Sequence, residues 1–229
     1  MIITIDGPVA SGKSSLAKVL AQKLDYYYLY TGLLYRALAY ILVHAEHKLS
    51  VPVMPEEVQS LTPEDFATAR HISYRYLHGE PHVYHHGIDI TAHLTDARLD
   101  QPASVISAHQ QARRALLLLQ RTIAEKNNII ADGRDCGSIV FPHADIKFFL
   151  TADVDTRVRR LMADQTRGNH EKVFEKVKAA LIERDERDKT RTESPLVIPE
   201  GAIIIDNSTL TFDQTVTRFI TEIQKRSGF

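Results

Sequence analysis

Tryptophan is absent from this chain, and cysteine occurs once, at Cys136. A lone cysteine closes no intramolecular disulfide, which fits a reducing compartment. Neither sign of charge is in surplus: 28 Lys and Arg stand against 29 Asp and Glu, a net charge of -1. That balance gives no global basic field for nucleic acid. The nine tyrosines do not alternate with basic residues as in a single-strand binder. No apolar run approaches the roughly 20 residues that span a bilayer. The first residues also lack a basic stretch followed by an apolar one, because Asp6 interrupts early. The expectation is a cytoplasmic protein that acts as a monomer on small molecules, with neither nucleic acid nor membrane as partner.

What is present is an alternation of strand and helix patterns. Residues 2–5 (IITI) form a short β-branched apolar run ended by Asp-Gly-Pro, the pattern of a buried strand. Leu16, Leu20 and Leu24 then recur on one helical face. A second strand is expected at 26–30, a helix after Gly32, and short helices broken by prolines over 49–70. From 71 to 96 the chain turns Tyr-, Val- and Ile-rich and alternates around Gly-Glu-Pro, which predicts a small antiparallel insert. Further strands are expected at 128–132, 145–150 and 202–206. Charged helices over 153–188 should break at Gly168-Asn169, and a closing amphipathic helix follows the last strand. Strands alternating with helices imply an α/β fold around a parallel sheet.

The stretch GPVASGKSS spans Gly7, Pro8, Val9, Ala10, Ser11, Gly12, Lys13, Ser14 and Ser15. Between a buried strand and an amphipathic helix, it matches a phosphate-binding loop. Its glycines let backbone N–H groups turn inward around phosphate oxygens, and the helix N-terminus adds positive dipole. Lys13 should reach the β- and γ-phosphates, and the Ser14 hydroxyl should ligate Mg²⁺.

Such a loop does not name a reaction. A switch or motor ATPase, a kinase for an alcohol and a kinase for a nucleotide all remain open. An alcohol acceptor needs a base to take its proton. A nucleoside monophosphate arrives ionised and needs cations instead, best supplied as arginine forks. Arginines occur where such a site would want them. Arg36 lies one turn into the second helix. Arg134 follows a buried strand in DGRDCG, beside Asp132, which should face the Mg²⁺ region. Arg157 and Arg160 sit in DTRVRR, and Arg184, Arg187, Asp188 and Arg191 recur at three- and four-residue spacing.

Together TIDGPVASGKSS, YTGLLYR, IADGRDCGSIVFPHADIKFFL and ERDERDKTR resemble the bacterial cytidylate kinases, in family order and over nearly the whole chain. The resemblance implies a three-layer, adenylate-kinase-like fold in one domain. Its core would cover about 1–70, 110–156 and 192–229, with an acceptor-binding insert at about 71–109 and an arginine-bearing lid at about 157–191. It also implies transfer of the γ-phosphoryl of ATP to CMP or dCMP with Mg²⁺. Thr31 and Arg36 would bind the acceptor, Thr31 replacing the family's usual serine and keeping its hydroxyl. Arg134 and Arg191 would join Arg36 on the acceptor phosphate. Asp135, Ser104 and Arg113 would read the cytosine, with HQQ replacing the family's phenylalanine–proline between the last two. Arg184 and Asp188 would contact the sugar. Lys13, Arg134, Arg157 and Arg160 would spread the transition-state charge, with Ser14 and Asp132 at the metal. Cys136 stands where the family often has methionine and is read as packing. The alternatives are a UMP/CMP or shikimate type of kinase and a non-catalytic ATP-binding switch.

His82, His85 and His86 do not make a metal site on this reading, since adjacent strand residues face opposite ways. Leu116–Leu119 is read as core.

Overall fold

A computed structural model describes residues 1–163 and 173–227. The break expected at Gly168-Asn169, and with it the middle of the expected lid, lies outside the described residues. Two compact units emerge: residues 1–28 with 127–229, and residues 29–126.

In the first unit the strands are β1 (Ile2–Asp6), β6 (Ile129–Gly133), β7 (Ile146–Thr151) and β8 (Ile203–Asp206), with β2 (Tyr27–Tyr30) leading out of it. The helices are α1 (Lys13–Leu24), α7 (Val154–Ala163), α8 (Phe174–Thr190) and α9 (Phe212–Ser227). Among the described residues the sheet has five strands in the order β2-β6-β1-β7-β8. The pairings of β1 with β6 and β7, and of β7 with β8, are parallel.

The apolar runs take the centre because they bury both faces: Ile3, Ile5, Ile129, Ile130, Phe148 and Leu150 are all inaccessible to solvent. The Leu16 and Leu20 stripe of α1 is buried, and Phe219 of α9 packs on Phe148 of β7 with ring centroids 4.3 Å apart. In the strand register Asp6 lies level with Gly133, so β1 and β6 end together at the carboxyl edge of the sheet. That edge, where strand order reverses about β1, is where α/β folds hold ligands.

The second unit contains α2 (Thr31–Tyr40), α3 (Pro55–Gln59), α4 (Pro63–Phe66), α5 (Asp100–Ile106) and α6 (Gln110–Lys126). Its antiparallel sheet orders β3 (Ile72–Leu77), β4 (Glu80–His85) and β5 (Ile88–Asp89). A sheet this small cannot form a core of its own. Val83 and Leu94 are buried, as are Leu34, Leu38 and Leu116 of the helices.

Two sequence expectations are corrected here. Of the leucine run, Leu116 is fully buried but Leu118 is 74% exposed, because two residues along a helix is more than half a turn. His85 and His86 do not diverge. His86 lies past the end of β4 at a φ of 49°, which turns its ring to 4.4 Å from that of His85 and 4.1 Å from that of His71. Among the described residues, no group of three His, Cys, Asp or Glu side chains could hold a metal ion.

Candidate functional site

The loop between β1 and α1 takes its shape from backbone that only glycine tolerates well. Gly7 has a φ of 153°, and a Cβ there would lie 2.0 Å from the Leu150 carbonyl oxygen. Gly12, at a φ of 90°, leads directly into α1 at Lys13. A loop whose N–H groups are to turn inward must satisfy its carbonyls elsewhere. Here Lys13 Nζ donates to the Pro8 carbonyl at 2.9 Å and Arg157 Nη1 to that of Val9 at 3.1 Å. The Ser11 carbonyl accepts from Arg160 Nη1 at 3.2 Å and from Asn207 Nδ2 at 3.1 Å.

Those contacts show what Arg157 and Arg160 touch in this structure. Arg157 is buried, with Nε donating to the Ala152 carbonyl and Nη1 paired with Asp185 at 2.6 Å. Arg160 spends both Nη groups on Ser11 and Asn207. Because α7 follows β7 after only two residues, its first turns pack on the loop, and positions 157 and 160 meet loop carbonyls. Both arginines brace the loop in this structure.

Asp132, near the end of β6, receives two hydroxyl donors: Ser14 Oγ at 2.6 Å and the Tyr28 phenol at 2.8 Å. Burial raises the Asp132 carboxyl above its ordinary range, against the opposing pull of Lys13 and both hydroxyls. Burial and then the Arg134 guanidinium push the Lys13 ammonium well below its ordinary value, while Asp132 and Asp188 oppose that shift. These groups therefore share one electrostatic neighbourhood. Ser14 and Asp132 offer adjacent hard oxygens, and no protein cage of three ligands surrounds them among the described residues. That sparse donor set fits Mg²⁺, which keeps water and takes phosphate oxygens for the rest of its shell.

Arg134 donates Nε to Asp188 of α8 at 2.7 Å, and Arg191, at the end of that helix, lies 3.8 Å from the same carboxylate. Burial alone would raise the Asp188 carboxyl, but Arg134, Arg184 and Arg191 outweigh it and hold it low. Arg187 turns aside to pair with Glu183 at 2.8 Å. Asp135 is buried, and its carbonyl accepts the N–H groups of Ile139 and Val140, closing the wide turn Cys136–Val140.

Among the expected acceptor residues in the second unit, Thr31 starts α2 and is buried, as is Ser104 in α5. Arg36 donates to the Asp96 carbonyl at 3.0 Å and pairs with the Asp100 carboxylate. Arg113 lies over the Tyr35 ring, 5.3 Å from its centroid, and donates to the Ser107 carbonyl at 2.8 Å.

Four residues escaped the reading of the sequence: Asp6, Tyr28, Asp185 and Asn207. Asp6 is fully buried, its two oxygens accepting the N–H groups of Cys136 at 2.8 Å and Gly137 at 2.7 Å. Burial pushes its carboxyl up to about 7, with Asp135 adding to the rise and the two N–H donors resisting it. A charged residue ending an apolar strand was the available signal for Asp6, and its spacing from Asp188 was one for Asp185. Nothing in local spacing marks Tyr28 or Asn207.

Comparison with known proteins bears on this arrangement. The family model described as cytidylate kinase matches residues 3–225. The chain is 38% identical over 221 residues to the cytidylate kinase of Chlamydia caviae, covering 96% of each chain. It is 35% identical over 224 residues to that of Thermotoga maritima, covering 98% of this chain and 97% of the other. A solved structure of an uncharacterized protein from Eubacterium ventriosum shares the fold with a TM-score of 0.52 at 15% identity, covering 99% of both chains.

Proposed function

This chain belongs to the cytidylate kinase family, and from that membership we propose how its residues carry out ATP-dependent phosphorylation of CMP or dCMP. The backbone N–H groups of residues 9–15 and the Lys13 ammonium hold the β- and γ-phosphates of ATP. The bond between the γ-phosphorus and the oxygen shared with ADP breaks as an oxygen of the CMP phosphate bonds to that phosphorus. The acceptor oxygen is already ionised, so no general base is required.

What the chain supplies is positioning and positive charge. Arg134 and Arg191 take the acceptor phosphate, Arg36 adding a third cation. Asp135 accepts a hydrogen bond from the cytosine amine, Ser104 and Arg113 also read the base, and Thr31 binds the acceptor. Asp188 and Arg184 hold the sugar. Ser14 and Asp132 are the residues that would hold Mg²⁺, which supplies charge neutralisation on the phosphates when bound.

The observation that carries this reading is the common ending of β1 and β6. It sets the phosphate loop and Arg134 side by side, close enough that Arg134 depresses the Lys13 ammonium. A coupled ADP-release assay with CMP, dCMP, UMP, AMP and shikimate tests it. CMP and dCMP should lead by about tenfold or more in kcat/KM, the equivalent of about 1.4 kcal/mol. Release independent of acceptor would point to an ATP-binding switch, and preference for shikimate to another kinase class.

A further inference from the structure

We propose that Asn207 is a positioning residue for ATP, fixing the phosphate loop through the Ser11 carbonyl; this rests on the reading of residues 7–15 as the ATP site. Asn207 follows β8 and is 5% exposed. Its backbone N–H donates to the Thr151 carbonyl at 2.9 Å, which ties it to the end of β7. Its amide nitrogen donates to the Ser11 carbonyl at 3.1 Å, and its amide oxygen accepts Arg160 Nη1 at 3.0 Å. Arg160 Nη2 reaches the Asn207 carbonyl at 2.9 Å, while Nη1 also meets Ser11 at 3.2 Å. One residue thus joins β7, α7 and the loop.

The chemistry calls for an amide. The Ser11 carbonyl needs a donor and the Arg160 guanidinium an acceptor, and a planar amide presents both from one short side chain. With Ser11 held from behind, the next peptide, between Ser11 and Gly12, keeps the orientation that aims its N–H at phosphate. Asn207 touches no reacting atom, so its influence runs through the loop and through Arg160, which it also holds.

Asn207→Asp is the informative change. It keeps size and shape and retains the acceptor for Arg160, but sets a carboxylate oxygen against the Ser11 carbonyl. The expected result is a weakening of ATP by about tenfold, seen both as KM and as the dissociation constant from titration calorimetry. The CMP KM should change less than about twofold. Asn207→Thr, which restores a donor hydroxyl, should recover part of the affinity and serves as the test if the aspartate variant does not fold. Unchanged ATP affinity, or equal weakening of ATP and CMP, would overturn the proposal. Wild-type protein that binds ATP without phosphorylating CMP would instead overturn the acceptor assignment and leave this test intact. Wild-type protein that does not bind ATP would overturn both.

Discussion

The Tyr28 phenol donates a hydrogen bond to Asp132 at 2.8 Å, on the carboxylate oxygen opposite the one that accepts from Ser14. The carboxylate is thereby oriented from β2 before any ligand engages it. Tyr28→Phe removes the hydroxyl and leaves the ring. A hydrogen bond to a charged group contributes about 1.5–3 kcal/mol, so the variant should melt earlier and need more Mg²⁺ for half-maximal rate. A Mg²⁺ titration of kcat checks this; an unchanged midpoint would assign Tyr28 to packing alone.

Lys13→Ala should damage turnover far more than folding. It withdraws the cation from the β/γ-phosphates while Gly7 and Gly12 keep the backbone cradle. The expected fall in kcat is on the order of 10²-fold or more, with little change in melting temperature. Near-wild-type turnover would remove Lys13 from the mechanism.

Asp6 should make stability depend on pH. Its carboxyl titrates at about 7 in the folded chain against an ordinary 3.8, so the folded state binds that proton more tightly than the unfolded one. Stability therefore declines as pH rises between those two values and levels off above about 7. Asp6→Asn removes the titration and should flatten this part of the profile, read from denaturant midpoints at pH 5, 6, 7 and 8. The same substitution sets an amide against the N–H groups of Cys136 and Gly137, so a loss of midpoint at pH 5 is also expected. An Asn variant with the wild-type slope would mean that another group titrates.

Base choice should rest on Asp135. A carboxylate accepts from the cytosine amine, whereas uracil would meet it acceptor to acceptor. Asp135→Asn offers a group that can donate or accept. The CMP:UMP ratio of kcat/KM should narrow by about tenfold. An equal fall for both substrates would make Asp135 a support of the Cys136–Val140 turn, whose N–H groups its carbonyl already holds.

The sheet was legible because buried parallel strands need continuous β-branched runs, and Ile2–Ile5 and Ile129–Ile130 are such runs. The phosphate loop was legible because its function resides in consecutive residues. Asp6, Tyr28 and Asn207 were not, since each acts on a partner more than a hundred positions away and gains its meaning only through strand order. The bracing contacts of Arg157 and Arg160 were hidden as well. Their residue type suits a phosphate, but the short β7–α7 connection delivers them to loop carbonyls. His86 escaped the strand alternation because a single left-handed residue ends it.

Arg157 links the Val9 carbonyl to Asp185, and Val9, Val158 and Leu181 pack together beside that link. The nine residues of the motif are therefore not a portable part. Grafted onto another strand–helix junction, GPVASGKSS would arrive without the α7 arginines and the Asn207 amide that hold its carbonyls, and without Asp185 of α8 that holds Arg157, and would have to spend binding free energy on ordering itself. The unit to transplant is β1 through α1 together with α7, α8 and the turn after β8, discontinuous in the chain but continuous in its hydrogen bonds.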